Sequence, residues 1–513
     1  MEYPEIGTPE ELAAFKALQE KLPGLYRQVV EDARRRHTVV VIPSLSLDPD
    51  ELEKVSGAHH YEERLLYTLM LLRRPNTRLI FVTSQPVAGS VIDYYLHLLS
   101  GIPGNHARKR LTLLACYDAS KVPLSQKILN RPRMLQRIRD AIGDADAAHM
   151  VCFNSTPLER SVAVQLRVPL YGNDPALSDL GTKSGCREVF REAGIHLPDG
   201  FERLSSTEEI IDSLVELKGR NSKLRKAVVK LNEGFSGEGN ALFSYQGCPD
   251  SSGLRTWVEQ NVHSLRFTAK TEQWETFQEK FQHMGGVVEA FVDGEDKCSP
   301  STQCRVNAIG EAMVISTHDQ VLGGEDGQIF QGCTFPAEDS YRLDIQDAGL
   351  KVARVLAQKG VLGRFATDFV SVREQGKWKH YAIEVNVRKG GTTHPFLTLK
   401  FLTDGRYDTE TGMFRTPSGN AKYYYASDTL ERERYRGLTP DDLIDIAVYH
   451  GLHFHGAAER GVVFHLMGAL SEFGKLGIVC IGDNPQQCTF LYRKTVGVLD
   501  KETASRGDKA SAE

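Results

Sequence analysis

The residues best suited to chemistry lie in Tyr381-Ala-Ile-Glu-Val-Asn-Val-Arg-Lys-Gly-Gly-Thr-Thr-His-Pro395. Apolar and polar residues alternate over 382–387, so Glu384, Asn386 and Arg388 fall on one face of a strand, where side chains repeat every two residues. An acid, an amide and a guanidinium in a row offer hard oxygens to Mg²⁺ and a planar fork to a phosphate. The plainer reading is an edge strand with its polar face in water. Gly390-Gly391, where backbone can turn sharply or approach a ligand, argues for the first. Upstream, residues 363–370 read as a strand carrying Asp368, and the charged, turn-like residues 371–380 lead back to 381–387. Asp368 and Glu384 are therefore expected on adjacent antiparallel strands, facing one divalent cation. Paired acids also serve general acid–base catalysis; the neighbouring Asn386 and Arg388 favour the metal.

Two further stretches carry polar groups of the right type. Ala227-Val-Val-Lys-Leu231 is a strand ending near Lys230, ahead of Asn232-Glu-Gly-Phe-Ser-Gly-Glu-Gly-Asn240. Gly234, Gly237 and Gly239 would let backbone N–H groups lie over phosphates with no side chains in the way. Strand resumes at Ala241, so this is a flap between strands and not a helix-opening P-loop. A flexible hairpin with a surface lysine is the equal alternative. Gly286-Val-Val-Glu-Ala-Phe-Val292 is an apolar strand with one acid, Glu289, leading into Asp293-Gly-Glu-Asp296. Its backbone could pair with an adenine edge and its acids with ribose hydroxyls; on its own, an acidic turn after a core strand explains it better.

These groups need elements to hold them. Thr8-Pro9-Glu10-Glu11 opens a helix, with a capping-box acid and proline in the first turn, expected to reach the arginines 34–36. Strands at 38–42, 78–83, 111–116, 149–153 and 168–171 alternate with helices over 61–74, 91–100 and 125–142 and after Thr156. Short apolar strands alternating with helices predict crossover units and a mainly parallel sheet. No Gly-x-Gly-x-x-Gly follows a strand there, and no Walker loop occurs. A helix over 183–193, stopped by Gly194, opens a strand-rich region with a hairpin turning at Gly310. One further helix carries Ile345, Ala348, Val352 and Leu356 on one face. Beyond Pro440 come a helix over 441–450 and strands over 461–466 and 476–481; residues 500–513 have the composition of a disordered tail. The expected domains are 1–178, 179–435 (a flap part about 200–292 and a metal-binding part about 293–435), 436–499, and the tail 500–513.

The chain's 513 residues, 41% hydrophobic and 25% charged, predict two to four domains of a globular protein. A net charge of −5 excludes a molecule built as a whole for nucleic acid or an anionic membrane. No signal peptide is visible, residues 65–72 are too short to span a bilayer, and nine scattered cysteines fit a reduced, cytoplasmic protein. His394, His453, His455 and His465 read as structural histidines.

In order and spacing, Lys183, Lys230 with its Gly-rich flap, the Glu289 strand, the Asp368 strand and Glu384-x-Asn386-x-Arg388 resemble the ATP-grasp superfamily over about 180–400. Ile42-Pro-Ser-Leu45, Tyr61-Glu-Glu-Arg64, Val82-Thr-Ser-Gln85, Thr317-His-Asp-Gln320, Arg388-Lys-Gly-Gly-Thr-Thr-His-Pro395 and the segment around His453 and His465 resemble bacterial peptide ligases of the pheganomycin-biosynthesis type. The resemblance implies an α/β and α+β molecule: an ATP-grasp core, an N-terminal open α/β (pre-ATP-grasp) domain and a small C-terminal extension. It implies a ligase that turns a carboxylate into an acyl phosphate with ATP, then joins it to the amine of an amino acid or peptide. Lys183 and Lys230 would hold phosphates beneath Gly234, Ser236, Gly237 and Gly239. Glu289, Phe291 and Val292 would take adenine, and Asp296 or Glu295 the ribose. Asp368, Glu384 and Asn386 would bind two Mg²⁺ ions, with Mn²⁺ able to substitute. Arg388 would stabilise the transferring phosphoryl. Related ligases place an arginine two residues before the first metal-binding aspartate; Ala366 stands there, leaving Arg364 and Arg305 as rivals for the oxyanion. Amino-acid or small-acid substrates and an amine or peptide acceptor are the implied partners, with no nucleic acid and no membrane, and a homodimer is the common assembly of such ligases. The rival readings are an ATP-binding regulator without turnover and a small-molecule kinase.

Overall fold

The structure is a computed structural model that describes residues 4–510 apart from 33, 100, 235–238, 250, 251, 270, 271, 295 and 324–328; the side chains of 50 and 505–510 also lie outside it. Among the described residues no helix is long and apolar enough to cross a membrane.

Near the N-terminus, His37–Ile42 (β1), Thr77–Thr83 (β2), Leu111–Ala115 (β3) and Ala148–Cys152 (β4) form a parallel sheet of order β3-β2-β1-β4. All of β1 is buried, as expected for a strand covered on both faces by crossover helices. Three details differ from the expected elements. The first helix is two, Pro9–Gln19 and Leu22–Glu31, because Pro23 fits only the first turn of a new helix. The helix over 61–74 is a 3₁₀ helix, Ala58–Arg73. The strand over 168–171 shrinks to one bridge between Met150 and Leu170, next to Pro169, which has no N–H to give a ladder.

Gly200–Leu204 (β5), Lys226–Leu231 (β6), Asn240–Ser244 (β7), Arg266–Phe267 (β8) and Gly286–Ala290 (β9) build a second, antiparallel sheet of order β5-β9-β6-β7-β8. Its core joins Val229, Phe243 and Val288 to Leu214 and Phe277 from the helices Thr207–Arg220 and Trp274–Met284.

The third sheet has eleven strands. They are Lys297–Cys298 (β10), Pro300–Val306 (β11), Ala312–Gly323 (β12), Ile329–Phe335 (β13), Gly363–Glu374 (β14), Lys377–Asn386 (β15), Arg406–Asp408 (β16), Met413–Arg415 (β17), Ala421–Glu431 (β18), Gly461–His465 (β19) and Lys475–Gly482 (β20). The helix Arg342–Gln358 buries Ile345, Val352 and Leu356 against it. β14 and β15 run further than expected: only Gln375 and Gly376 connect them. Both have positive φ (52° and 79°), the tight turn that matches strand twist. β19 and β20 extend the same sheet through β18, so the β14–β15 hairpin and the C-terminal segment share one ladder system. The last helix, Pro485–Ala510, overrides the expected disorder from Asp500 to Ala510. Its polar sequence is pinned by buried Leu499 and by the Tyr435 hydroxyl, which donates to the Asp500 carboxylate at 2.7 Å.

Candidate active site

The β14–β15 hairpin sets Asp368 opposite Glu384 and Ala366 opposite Asn386. Strict alternation would put Ala382 on the same face as Glu384. A bulge at Ile383 prevents this: Phe369 pairs with Ala382, so Ala382 and Val385 are both buried while Ile383, Glu384 and Asn386 line a cleft. Bulges recur beside active sites for this reason, since one extra residue re-aims the side chains that follow.

Lys183 begins the helix Lys183–Glu192, whose N-cap Thr182 accepts from the Gly185 N–H at 3.0 Å. The Lys183 Nζ lies 2.7 Å from Glu384 Oε1. Asn232, at the start of the flap, accepts from the Ser184 N–H and hydroxyl at 3.0 and 2.7 Å, tying the flap base to this helix. Lys230, on β6, reaches Glu289 Oε2 at 2.5 Å, and Arg187 Nη1 donates to Glu289 Oε1 at 2.6 Å. All three are buried. Arg187 follows Lys183 by four residues, so both fall on one helix face.

The cleft encloses about 430 Å³ and is lined by Lys183, Lys230, Gly234, Asp368, Glu384, Asn386 and Arg388, with Gly390, Gly391 and Thr392 at one side. Asp368 accepts from Gln320 Nε2 at 2.9 Å and from Asn386 Nδ2 at 3.0 Å. Burial, then the nearby Glu384 charge, pushes the Asp368 carboxyl up to about 7. Burial also opposes ionisation of Glu384, but the Lys183 ammonium and its hydrogen bond outweigh that and hold the carboxyl below its usual range. Glu289 follows the same pattern: burial resists its charge, and Lys230 and Arg187 more than offset it. Two acids with divergent proton affinities, two lysines and an arginine thus face one space.

Other expected site residues lie elsewhere. Arg305 and Arg364 do not line this cleft; they line a second cavity toward the N-terminal sheet. Phe291 and Val292 lie past the end of β9 beside a shallower hollow with Asp293 and Tyr381, and the Phe291 N–H is already given to the Lys226 carbonyl at 3.1 Å. Asp296 is exposed, 3.5 Å from Arg373. Glu289 points its carboxylate at Lys230 and Arg187. Gly239 closes the base of the flap by accepting from the Leu231 N–H at 2.9 Å. Ser236, Gly237 and Glu295 fall outside the described residues. His394 and His465 are buried with ring centroids 4.0 Å apart and do not line the cleft; His394 Nδ1 lies 2.9 Å from the carbonyl of Arg64. Sequence reasoning gave no role to Arg187, Gln320 or Arg64. Arg64 lines the cleft, lies over the Phe153 ring at 4.8 Å and pairs with Asp428 at 3.1 Å.

A family model described as IQCH-like, ATP-grasp matches residues 175–250 and 250–410, the segment that builds the cleft. The chain contains an ATP-grasp domain. A model of the PGM1 C-terminal domain matches 442–495, the helix and strands that follow the ATP-grasp domain. The chain is 29% identical over 469 residues to the L-propargylglycine–L-glutamate ligase of Streptantibioticus cattleyicolor, covering 90% of this chain and 94% of that protein. It is 21% identical to the IQ motif-containing protein H of Danio rerio, over 96% of this chain but 51% of the longer relative. Among solved structures, the biotin carboxylase–β-γ-ATP complex from Campylobacter jejuni superposes with a TM-score of 0.50 at 12% identity, over 89% of this chain and 90% of that one. The biotin carboxylase subunit of a pyruvate carboxylase gives 0.50 at 12%, over 90% of each chain. At such identity the likeness concerns the fold: an ATP-grasp domain behind an N-terminal parallel sheet.

Proposed function

We propose that this chain is an ATP- and Mg²⁺-dependent ligase that joins the carboxylate of an amino acid or related acid to the amine of an amino acid or peptide. The observation that carries this reading is the convergence of Lys183, Lys230, Asp368, Glu384, Asn386 and Arg388 on one cleft. A relative covering most of the chain that is named an amino acid–amino acid ligase supports it.

The donor set suits Mg²⁺: two carboxylates and an amide oxygen on paired strands are hard oxygen ligands. Asp368, Glu384 and Asn386 would hold two ions, which when bound neutralise charge on the transferring phosphoryl group. The protein's own groups do the rest. Lys183 and Lys230 hold phosphates, and the backbone at Gly234 covers them. A substrate carboxylate oxygen attacks the γ-phosphorus as the bond to the β-phosphate oxygen breaks, so ADP leaves and an acyl phosphate forms. The neutral acceptor amine then attacks the acyl carbon, loses a proton, and phosphate departs with the C–O electrons. Arg388 offers a fork to the phosphoryl oxygens in both steps. Nine free cysteines support a reducing, cytoplasmic setting.

Incubation with ATP, Mg²⁺ and pooled amino acids or short peptides tests the reading. Amine-dependent release of ADP and phosphate with an amide product is expected; AMP and pyrophosphate, or a phosphorylated product formed without any amine, would overturn it.

Asp368 also makes the site pH-dependent. Its carboxyl titrates at about 7 in the metal-free protein, and a cation needs the ionised form. Apparent Mg²⁺ affinity should therefore rise roughly tenfold from pH 6 to pH 8 and level off above, with proton release on binding near pH 7. Calorimetry in two buffers of different ionisation enthalpy measures this; a pH-independent affinity would assign the proton elsewhere.

A further inference from the structure

A second cavity of about 440 Å³ lies between the N-terminal sheet and the eleven-stranded sheet. Its wall is largely apolar, with Leu25 and Val29 from the helix Leu22–Glu31, Leu65, Val151 of β4, and Leu397. Five cationic residues line it: Arg74, Arg305, Arg364, Lys389 and Lys400. Among the described lining residues there is no carboxylate.

The placement of two of these cations is unfavourable for an empty pocket. Arg305 on β11 and Arg364 on β14 are direct cross-strand partners. Such partners have Cβ atoms roughly 5 Å apart, and like charges there repel. Burial, then Arg305, lowers the proton affinity of Arg364; at the exposed Lys400 the charges of Arg364 and Arg305 act in the same direction and Asp404 opposes them. The available partners are neutral. Arg305 Nε donates to the Tyr171 hydroxyl at 2.5 Å, Lys389 Nζ to the Cys152 carbonyl, and Arg74 Nη1 to the Val29 carbonyl at 3.0 Å. Asp404, one turn beyond Lys400, pairs with Arg73 at 3.7 Å. Arg364 Nη1 is buried and meets no acceptor among the described residues. A buried cationic nitrogen costs free energy unless something pairs with it, and Arg364 Nη1 has no acceptor among the described residues; the other four cations are only partly buried or, for Lys400, exposed. An apolar cavity with a few convergent polar groups is also the ordinary form of a small-molecule site.

We propose that this cavity binds an organic anion with an apolar body, distinct from the nucleotide. Its carboxylate or phosphate head sits between the guanidinium groups of Arg305 and Arg364, which match planar or tetrahedral oxyanions bidentately. The body lies against Leu25, Val29, Leu65 and Leu397. Arg364 is two residues before Ala366, and Lys389 directly follows Arg388; Ala366 and Arg388 line the nucleotide cleft, so the two cavities adjoin without sharing either arginine.

Calorimetric titration of the full-length protein with 4-phenylbutyrate, phenyl phosphate and 4-phenylbutylamine tests this without any catalytic readout, so it stands or falls apart from the ligase reading. The two anions should bind with one-to-one stoichiometry and the amine should not. Arg364→Met and Arg305→Met should each weaken anion binding at least tenfold, Arg364→Lys less, and saturating ATP should leave it in place. Arg364→Met should also raise the melting temperature, since it removes one of two facing charges. Equal binding of acid and amine by the unaltered protein would overturn the proposal whatever the variants do, as would displacement by ATP or unchanged affinity in both methionine variants.

Discussion

Glu384→Gln is expected to lower ATP-dependent ADP formation by about 10³-fold or more, with the folded state retained by circular dichroism. The substitution keeps the side chain's shape and removes one charge from the hairpin that faces Asp368. Three things are lost together: an anionic oxygen for the cation, the partner of the Lys183 ammonium at 2.7 Å, and the field that separates the proton affinities of Glu384 and Asp368. Removing a single preorganised electrostatic contact from a transferring group costs about 10²–10³-fold, and this one acts through two others. Asp368 should respond as well: without the Glu384 charge beside it, its carboxyl becomes easier to ionise. A variant that still produced ADP at a tenth of the original rate would remove Glu384 from the cation-binding set.

The second large effect is on stability. Glu289→Gln should destabilise the fold by about 3–5 kcal/mol, the cost of leaving buried charge uncompensated. Glu289 sits between Lys230 and Arg187, and all three are less than 10% exposed. Neutralising the acid strands the Lys230 ammonium and leaves Arg187 to Glu202, its other partner at 3.0 Å; Lys230→Met in the same background removes the stranded cation and should recover part of the loss. Chemical denaturation of the two variants measures both terms. The pH dependence has a definite sign. Because Lys230 and Arg187 hold the Glu289 carboxyl below its ordinary value, its contribution is complete above that ordinary value of 4.5 and fades as pH falls through the lowered one. A loss under about 1 kcal/mol would mean that water reaches the triad, since exposed pairs contribute no more than that.

Glu289 illustrates where local reading stops. Its sequence context, one acid in an apolar strand, is compatible with a nucleotide contact. What assigns it to Lys230 and Arg187 is the pairing of β9 with β6 and the docking of a helix from elsewhere in the chain. The same holds for Arg305 and Arg364. Even spacing along β14 puts Arg364 and Asp368 on one face, yet the strand is long enough to cross from one cavity to the next. Ile383 shows a smaller version: alternation alone predicts the polar face correctly but misses the bulge that lets Ala382 and Val385 both be buried.

The order of the motifs, the parallel N-terminal sheet, the flap after Lys230 and the antiparallel pairing of Asp368 with Glu384 follow from the sequence by itself, because periodicity, glycine placement and strand–turn–strand spacing are local properties of the chain. Only the tertiary structure decided which charges meet. Lys183 reaches Glu384 across 201 residues of chain, Lys230 shares Glu289 with Arg187, and two arginines face each other in a cavity with no acid. Such pairings depend on how sheets and helices close over one another, and short-range patterns carry no record of that.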